Sequence, residues 1–439
     1  MDPSADARAA RAGTPRRVAV VGAGMVGLAT AWYLREHDVE VTVLDRTGVA
    51  AGSSWGNAGW LTPDLITPLP EPSVLRYGIR ALSSPRSPVY VPPRLNGNLA
   101  RFVVGFARNA TPARWRRHMA ALVPFNGLAL DAFDEMAAGG VAEPTLEARS
   151  FIAAYRTEGE RAILLDELEQ IAAAGQIMDF EALTGAQARA VEPVLSPEIG
   201  AAILLKGQRY IDPGRYVAAL AASVARRGGD VRSGLELMGI GDDLGGVAAG
   251  DVSTGSDAPG VTLHGTSGWS GRFDAVILAT GALLGRHARR FGVTQVVQAG
   301  RGYSFSVPVE RPPAGPIYLP IQRVACTPLG DRLRVAGMME FRRPDEPLDQ
   351  RRIEAIVEAA RPMLTGLDLD AREHEWVGSR PCTIDGLPLI GATRSPRVYV
   401  AGGHSMWGIS LGPITGKMLA EQIVTGRRPA VLAPFDPLR

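Results

Sequence analysis

The stretch RVAVVGAGMVGLATAWYL, residues 17–34, decides the fold. It begins with a short continuous apolar run, which is typical of a strand buried on both faces of a parallel sheet. A glycine turn follows, and the residues after the turn have the apolar spacing of a helix. The run VEVTVLD at residues 39–45 then predicts a second strand. Together these elements predict a βαβ unit that opens an α/β domain.

The turn in this unit matches the pattern G-x-G-x-x-G at Gly22, Gly24 and Gly27. Gly22 permits the tight turn, Gly24 lets backbone approach a pyrophosphate, and Gly27 lets helix and strand pack closely. The intervening Met25 and Val26 begin the helix, whose N-terminal N–H groups favour phosphate. The motif lies between a strand and a helix, and this context predicts a dinucleotide-binding site.

The end of the second strand and the loop after it favour FAD as the dinucleotide. Asp45 follows Gly27 by 18 residues, where a carboxylate can accept hydrogen bonds from ribose hydroxyls. The loop is long, polar and rich in Gly, Ala and Ser; an extended FAD needs such loop amides, whereas a nicotinamide cofactor does not. Ordinary turn chemistry also explains these residue types. The loop residues predicted to contact FAD are Arg46, Ser53, Ser54, Asn57, Ala58 and Gly59.

Length and composition exclude several other classes of protein. The chain has 439 residues with a net charge of +2, so no bulk electrostatic field would gather nucleic acid. The two cysteines, Cys326 and Cys382, exclude a disulfide framework and fit a reducing compartment. No Cys/His cluster has metal-ligand spacing, so we expect no metal site. No run is long enough to cross a bilayer. A cytoplasmic protein is expected, and peripheral contact with the inner face of the membrane stays open.

The order of strand and helix patterns predicts two discontinuous domains. Buried strands near the start, middle and end of the chain predict an α/β domain from residues 16–75, 205–296 and 378–439. Helical patterns and short alternating runs predict an inserted α+β domain from residues 76–204 and 297–377. We expect helices at 98–108, 114–138, 158–174 and 349–364, and an antiparallel sheet of about four strands between 296 and 341. Residues 1–15 have the composition of a disordered tail.

Two later strand ends add predicted FAD contacts. The run VILATGALL, residues 276–284, is a buried strand that ends in a turn at Thr280 and Gly281. The stretch VYVAGGHSMWGISLGPITGKMLAEQI, residues 398–423, passes from a strand into a helix through an irregular junction. Ligands of such sheets lie beyond the carboxyl ends of the strands. The junction residues predicted to contact FAD are Gly403, His404, Gly408, Ile409 and Ser410.

Several of these motifs resemble the D-amino-acid oxidase-type FAD-dependent oxidoreductases, and specifically their bacterial D-amino-acid dehydrogenase branch. The segments that carry the resemblance are SSWGNAGW (53–60), YIDPGRYVAAL (210–220), VILATGALL (276–284), GRGYSF (300–305), GSRPCTIDGLPLIG (378–391) and GGHSMWGISLGPITGKMLAE (402–421). The resemblance implies a Rossmann-like FAD-binding domain of the D-amino-acid oxidase and glutathione reductase type, with an inserted mixed-sheet substrate domain. It also implies hydride transfer from the substrate Cα to flavin N5, with electrons passed to a quinone, an electron-transfer protein or O2.

The resemblance also implies a set of substrate-site residues. Arginines at the position of Arg380 hold the substrate carboxylate in glycine oxidase-like relatives; an ion pair with Asp385 is the alternative reading of this residue. Tyr303 and Tyr318 would lie on strands that roof the substrate cavity, where half or more of such tyrosines serve packing alone.

The helix that begins near Pro413 would direct its N-terminus at the pyrimidine edge of the flavin. His404 and Trp407 would line the wall between flavin and substrate.

Two departures from the relatives refine these expectations. Met406 stands where glycine oxidase-like relatives carry a second arginine, which favours a more apolar side-chain pocket. Cys382 lies too close to the motif TID to match the cysteine that sarcosine oxidase-like relatives link to flavin, so we expect non-covalent FAD.

Three alternatives remain open from sequence. The first is oxidation of a cyclic or N-substituted amino acid, such as D-proline, hydroxyproline or sarcosine, or of glycine. The second is a peroxide-forming oxidase. The third is a non-catalytic subunit of a larger complex, and the oligomeric state stays open as well.

Overall fold

A computed structural model describes residues 15–71, 87–91, 97–242 and 260–439 of the chain. The expected tail lies outside the described residues, apart from residue 15. The predicted domain boundary at residues 75–76 lies outside them too. The assignment of chain segments to two domains stays a prediction.

The described strands fall into two large sheets and two small ones. In chain order the strands are β1 (Arg17–Val21), β2 (Glu40–Asp45), β3 (Trp60–Leu61), β4 (Val89–Tyr90), β5 (Leu146–Glu147), β6 (Phe151–Tyr155), β7 (Phe180–Thr184), β8 (Ala201–Leu205), β9 (Arg209–Tyr210), β10 (Asp230–Ser233), β11 (Leu237–Asp242), β12 (Val261–Gly265), β13 (Ser270–Phe273), β14 (Ala275–Leu278), β15 (Val297–Pro308), β16 (Ile317–Leu319), β17 (Val324–Leu329), β18 (Arg332–Phe341), β19 (Glu373–Thr383), β20 (Leu389–Ala392) and β21 (Val398–Gly402). The α-helices are α1 (Met25–Glu36), α2 (Gly97–Asn109), α3 (Pro112–Asn126), α4 (Ala129–Ala138), α5 (Glu158–Ala173), α6 (Gly185–Val191), α7 (Pro213–Arg226), α8 (Leu284–Ala288), α9 (Gln350–Ala360) and α10 (Gly412–Thr425).

The first large sheet has the strand order β10-β2-β1-β14-β21-β20. All neighbouring pairs are parallel except β20 and β21, which pair antiparallel. Helices α1 and α10 pack closely at Gly416 of α10. A Cβ added there would lie only 2.6 Å from the α1 backbone at Thr30. The predicted βαβ unit and its α/β sheet are therefore confirmed.

The second large sheet is mixed and has the order β19-β15-β18-β17-β16-β6-β8-β7, with β4 also paired to β18. The four strands expected between residues 296 and 341 are β15 to β18, and they pair antiparallel with one another. They do not form a separate sheet, because β16 also pairs in parallel with β6 and β18 with β4. The second large sheet packs on α9 through an apolar core that includes Ile353 and Ile356.

Two predicted helices are wrong in their extent. The stretch expected to be a single helix over residues 114–138 is two helices, α3 and α4. Pro124 lacks the backbone N–H that a continuing helix needs, and α3 ends two residues later, with Gly127 as its C-cap. The helix expected over 349–364 ends as α9 at Ala360, just before Pro362. Among the described residues, no helix has the length and apolar content that crossing a bilayer requires.

Candidate active site

A groove with a cavity volume of about 280 Å³ lies at the carboxyl ends of β1, β2, β14 and β21. This is the edge of a parallel sheet at which ligands bind in α/β folds. Most of the predicted FAD contacts line the groove together, although they come from four separate parts of the chain. They are Gly22, Gly24, Met25, Val26, Gly27, Asp45, Arg46, Ser53, Ser54, Asn57, Thr280, Gly281, His404, Gly408 and Ile409.

The glycine motif has the geometry of a nucleotide-binding turn. Gly22 has φ +119°, and a Cβ there would lie 2.4 Å from the carbonyl oxygen of Ala279. A Cβ at Gly27 would lie 1.9 Å from the Gly22 oxygen, so side chains are excluded at both positions. At Gly24 an added Cβ would meet only the Ser54 hydroxyl, at 3.2 Å. Gly24 therefore leaves open space over the first turn of α1, where a pyrophosphate fits.

Asp45 is held rigidly at the end of β2. Its Oδ2 accepts a hydrogen bond from the backbone N–H of Ala23 at 2.9 Å. Its Oδ1 accepts from the N–H groups of Thr47 and Gly48 at 2.8 and 2.9 Å. A carboxylate has about four acceptor positions, so one remains for a ribose hydroxyl. The neighbouring Arg46 forms an ion pair with Asp345 across the rim, at 2.7 Å.

The loop after β2 is fixed to its surroundings by side-chain hydrogen bonds. Ser54 Oγ accepts from the N–H of Met25 at 3.2 Å and so satisfies one donor of the α1 N-terminus. The Ser53 hydroxyl donates to the carbonyl of Ser379. Asn57 Oδ1 accepts from the Gly59 N–H at 2.8 Å. These contacts hold the loop between the groove and the second large sheet.

Four predicted FAD contacts do not line the groove. Ala58 lines a neighbouring cavity, and its carbonyl accepts from the Thr327 hydroxyl at 2.7 Å. Gly59 and Gly403 have φ of +80° and +75°, and a Cβ at either would clash with protein atoms. The Ser410 hydroxyl donates to the carbonyl of Trp60 at 2.7 Å. These residues shape the loops around the groove.

A second cavity of about 460 Å³ adjoins the groove, and its wall is mostly apolar. Among the predicted substrate-site residues, Tyr303, Tyr318, Trp407 and Arg380 line it. The residues that line both the groove and this cavity are Ser53, Asn57, Gly378, Arg380 and Met406. These residues mark the junction at which a cofactor in the groove would meet a substrate in the cavity.

Arg380 lies at this junction with its guanidinium directed across the second sheet. Its Nη1 donates to the carbonyl of Met338 at 2.8 Å. A Cβ added at Gly302 would lie 2.2 to 2.5 Å from the guanidinium atoms, so the missing side chain makes room for it. Burial lowers the pKa of Arg380 below its usual value, yet an arginine stays charged at neutral pH.

The alternative partner proposed from sequence does not pair with Arg380. Asp385 is instead held by Arg439, with Nε–Oδ2 and Nη2–Oδ1 distances of 2.9 and 3.1 Å. Within the described part of the chain, Arg380 forms no ion pair with a carboxylate. Its positive charge is therefore available to an anionic ligand at the cavity junction.

The two tyrosines differ in their surroundings. The Tyr303 hydroxyl donates to Glu340 Oε2 at 2.6 Å, and the same carboxylate pairs with Arg342 Nε at 2.6 Å. Burial and the Glu340 charge raise the pKa of Tyr303, so its phenol stays protonated. Tyr318 packs edge-to-face on Trp60, with 5.4 Å between ring centroids. Burial likewise raises the pKa of Tyr318.

His404 and Trp407 are held by hydrogen bonds to protein groups. His404 Nε2 lies 2.9 Å from Thr415 Oγ1 on α10, and burial lowers the pKa of this imidazole to about 3. His404 is therefore neutral at the pH of most assays. Trp407 Nε1 donates to the carbonyl of Thr67 at 3.0 Å. His404 lines the groove and Trp407 the cavity.

The second cavity also contains a group of polar residues that no sequence motif indicated. Glu71, Tyr155, Glu167 and Arg323 line it beside Tyr318. One signal was available: Glu167 follows Leu164 by three residues and precedes Ile171 by four, so it falls on the buried face of α5. A charged residue at an apolar position of a helix indicates a partner or a cavity.

Comparison with known proteins identifies the family. Residues 17–422 match the family described as FAD dependent oxidoreductase, DAO. The chain belongs to the DAO family of FAD-dependent oxidoreductases. The buried Thr280 hydroxyl lacks a hydrogen-bond partner among the described residues, and the space over Gly24 is open, so the groove of this DAO-family chain fits the FAD that defines the family.

Individual relatives agree with this family. The D-amino acid dehydrogenase of Methylobacterium nodulans is 29% identical over 430 residues, which cover 94% of this chain and 96% of that protein. The D-amino acid dehydrogenase of Dechloromonas aromatica is 29% identical, covering 95% and 99%. Glycine oxidase from Geobacillus kaustophilus has a similar fold, with a TM-score of 0.69 at 23% identity and coverage of 97% and 99%. The resemblance stated from the motifs is thus confirmed at the level of the DAO family.

Proposed function

We propose that this DAO-family protein is an FAD-dependent D-amino-acid dehydrogenase. The observation that carries the proposal is Arg380, a half-buried cation without a carboxylate partner among the described residues. It lies at the junction of the FAD groove and the second cavity. A guanidinium grips a carboxylate bidentately and fixes its orientation. With the α-carboxylate on Arg380, the substrate Cα would lie beside the groove and the side chain would enter the cavity.

The remaining site residues would orient the substrate and exclude water. FAD, when bound, supplies the acceptor for the hydride that leaves Cα, and water then hydrolyses the resulting imine. The Tyr303 hydroxyl already donates a hydrogen bond to Glu340. Its oxygen would therefore accept a hydrogen bond from the substrate amine. His404 stays neutral and would hold the groove wall against α10 without transferring a proton. No strong base is needed, because a neutral amine can be oxidised directly.

The lining of the groove supports the FAD contacts that we propose. The pyrophosphate would lie over Gly24 and the N-terminus of α1, and the ribose would bind Asp45. The isoalloxazine would reach the junction formed by Ser53, Asn57 and Arg380. The electron acceptor would be a quinone or an electron-transfer protein, in keeping with the names of the dehydrogenase relatives.

Anaerobic reduction of the flavin tests the substrate class. The purified yellow protein is mixed without oxygen with D- and L-amino acids, D-proline, sarcosine and glycine, and the loss of flavin absorbance is followed. We expect D-amino acids to bleach the flavin and their L-enantiomers to leave it oxidised. Bleaching by L-acids or simple amines alone would overturn the proposed substrate, and a colourless protein that takes up no flavin would favour the non-catalytic alternative.

A substitution of Arg380 tests the proposed carboxylate contact. Two charge-assisted hydrogen bonds of about 1.5 kcal/mol or more each are lost in Arg380→Ala, so KM should rise about 100-fold or more. FAD should remain bound, because the groove keeps its other lining residues. Arg116→Ala is the control, since Arg116 is an exposed arginine on α3. An unchanged KM in Arg380→Ala would remove Arg380 from the substrate site.

A further inference from the structure

The second cavity has a polar end remote from the FAD groove. The residues of this end line the cavity but not the groove; they are Glu71, Tyr155, Glu167, Tyr318 and Arg323. The last four come from β6, α5, β16 and the turn after β16, whereas Arg380 is on β19 at the other side of the sheet. The cavity therefore has one cationic end at the groove and a second polar end away from it.

The distance between the two ends follows from the sheet order. The Arg380 guanidinium crosses Gly302 of β15 and donates to the carbonyl of Met338 on β18. Tyr318 is on β16, two sheet positions beyond β18. Neighbouring strands are about 4.8 Å apart, and Tyr318 is in register with Ala336, two residues from Met338. Roughly 12 Å therefore separates the guanidinium from the backbone of Tyr318. This span suits an amino acid with an extended side chain, such as the four-carbon stem of lysine.

The polar end contains an unsatisfied hydroxyl and two carboxylates. Tyr155 is only 1% exposed, and its hydroxyl has no hydrogen-bond partner in the described ranges. Glu167 lies beside Glu71, and burial together with the Glu71 charge raises the pKa of Glu167 well above its usual range. Arg323 interacts electrostatically with both carboxylates. A cationic group beside Glu167 would favour the ionised form of its carboxyl.

We propose that Glu167, with Glu71 and the two phenols, binds a positively charged group at the end of the substrate side chain. The group would be an ammonium or a guanidinium, and it would donate hydrogen bonds to Glu167 and to the Tyr155 oxygen. An anionic side chain would instead approach two carboxylates, and an apolar one would leave Tyr155 unpaired. The inference rests on the proposed function, because it places the α-carboxylate on Arg380.

Paired substrates that differ in side-chain charge test this site. The kcat/KM of flavin reduction is measured for D-lysine against D-norleucine and for D-arginine against D-citrulline. One charge-assisted contact corresponds to roughly 10- to 100-fold, so we expect the charged member of each pair to be preferred by at least tenfold. In Glu167→Gln the preference should vanish, because kcat/KM for D-lysine should fall at least tenfold relative to that for D-norleucine.

The matched control is Glu169→Gln, an exposed glutamate on the same helix, which should keep the full preference. Equal kcat/KM for D-lysine and D-norleucine, or a preference that survives Glu167→Gln, would overturn the inference. In the first case D-norleucine still reduces the flavin, so the proposed function stands. If no D-amino acid reduces the flavin, the proposed dehydrogenase function fails. Calorimetry then tests the cation site separately: n-hexylamine should bind more tightly than n-hexanol in the unmodified protein but not in Glu167→Gln.

Discussion

The contact between Gly302 and Arg380 offers a sharp test of the site, because it can be disturbed without touching Arg380. A Cβ at Gly302 would lie 2.2 Å from Nη2 of Arg380, and an ordinary contact needs about 3.4 Å or more. In Gly302→Ala the guanidinium must therefore move by about 1 Å or more. The end of an arginine side chain can move at little cost, so the change should leave the fold stable.

The expected effect is on substrate binding. A misplacement of about 1 Å in a positioning group costs about 100-fold, so kcat/KM for D-amino acids should fall about 100-fold in Gly302→Ala. The FAD dissociation constant and the urea midpoint should stay unchanged. The assay is steady-state kinetics with an artificial electron acceptor, together with fluorescence titration of FAD into the apoprotein.

Gly285→Ala is the control for a glycine-to-alanine change. Gly285 lies on α8, and a Cβ there would meet no atom within 4 Å. It should retain full activity. Gly302→Ala with normal stability and normal kcat/KM would refute the reasoning, because the guanidinium would then have moved without consequence for the substrate.

Three further predictions concern the stability and the cofactor. Burial lowers the pKa of His404 to about 3, so between pH 6.5 and 3 the imidazole binds a proton only in the unfolded chain. Stability should therefore fall by about 2 kcal/mol between pH 7 and 5, and urea unfolding of His404→Asn should lack that part of the loss. In Tyr303→Phe the buried Glu340 loses a donor, so urea unfolding should show a loss of about 1–3 kcal/mol; an unchanged midpoint would contradict this. Burial raises the pKa of the Cys382 thiol to about 12 and the residue does not line the groove, so acid precipitation should release all flavin, and a yellow pellet would disprove non-covalent binding.

The sequence alone was sufficient for the βαβ unit with the glycine motif. Residues 17–45 form β1, α1 and β2 in one contiguous stretch, and their apolar periods and glycines reflect local requirements of strand, turn and helix. The role predicted for Arg380 came from a motif that resembles one in the relatives. Nothing in the neighbouring sequence distinguishes Arg380 from a surface arginine. The break between α3 and α4 could have been read from Pro124, whose missing N–H ends a helix nearby.

The tertiary structure decided the second large sheet and the cavity beside it. Strands β6 and β8 enter the second sheet far from β15 to β18 in sequence, because pairing depends on which strand edges meet in space. The polar end of the cavity combines residues from 71 to 323, and only the misplaced charge of Glu167 on an apolar helix face hints at it. Local sequence patterns predict strands, turns and helices, because these depend on residues that are close together in the chain. The shape, charge and length of the cavity depend on residues that become neighbours only when the two large sheets and their helices pack.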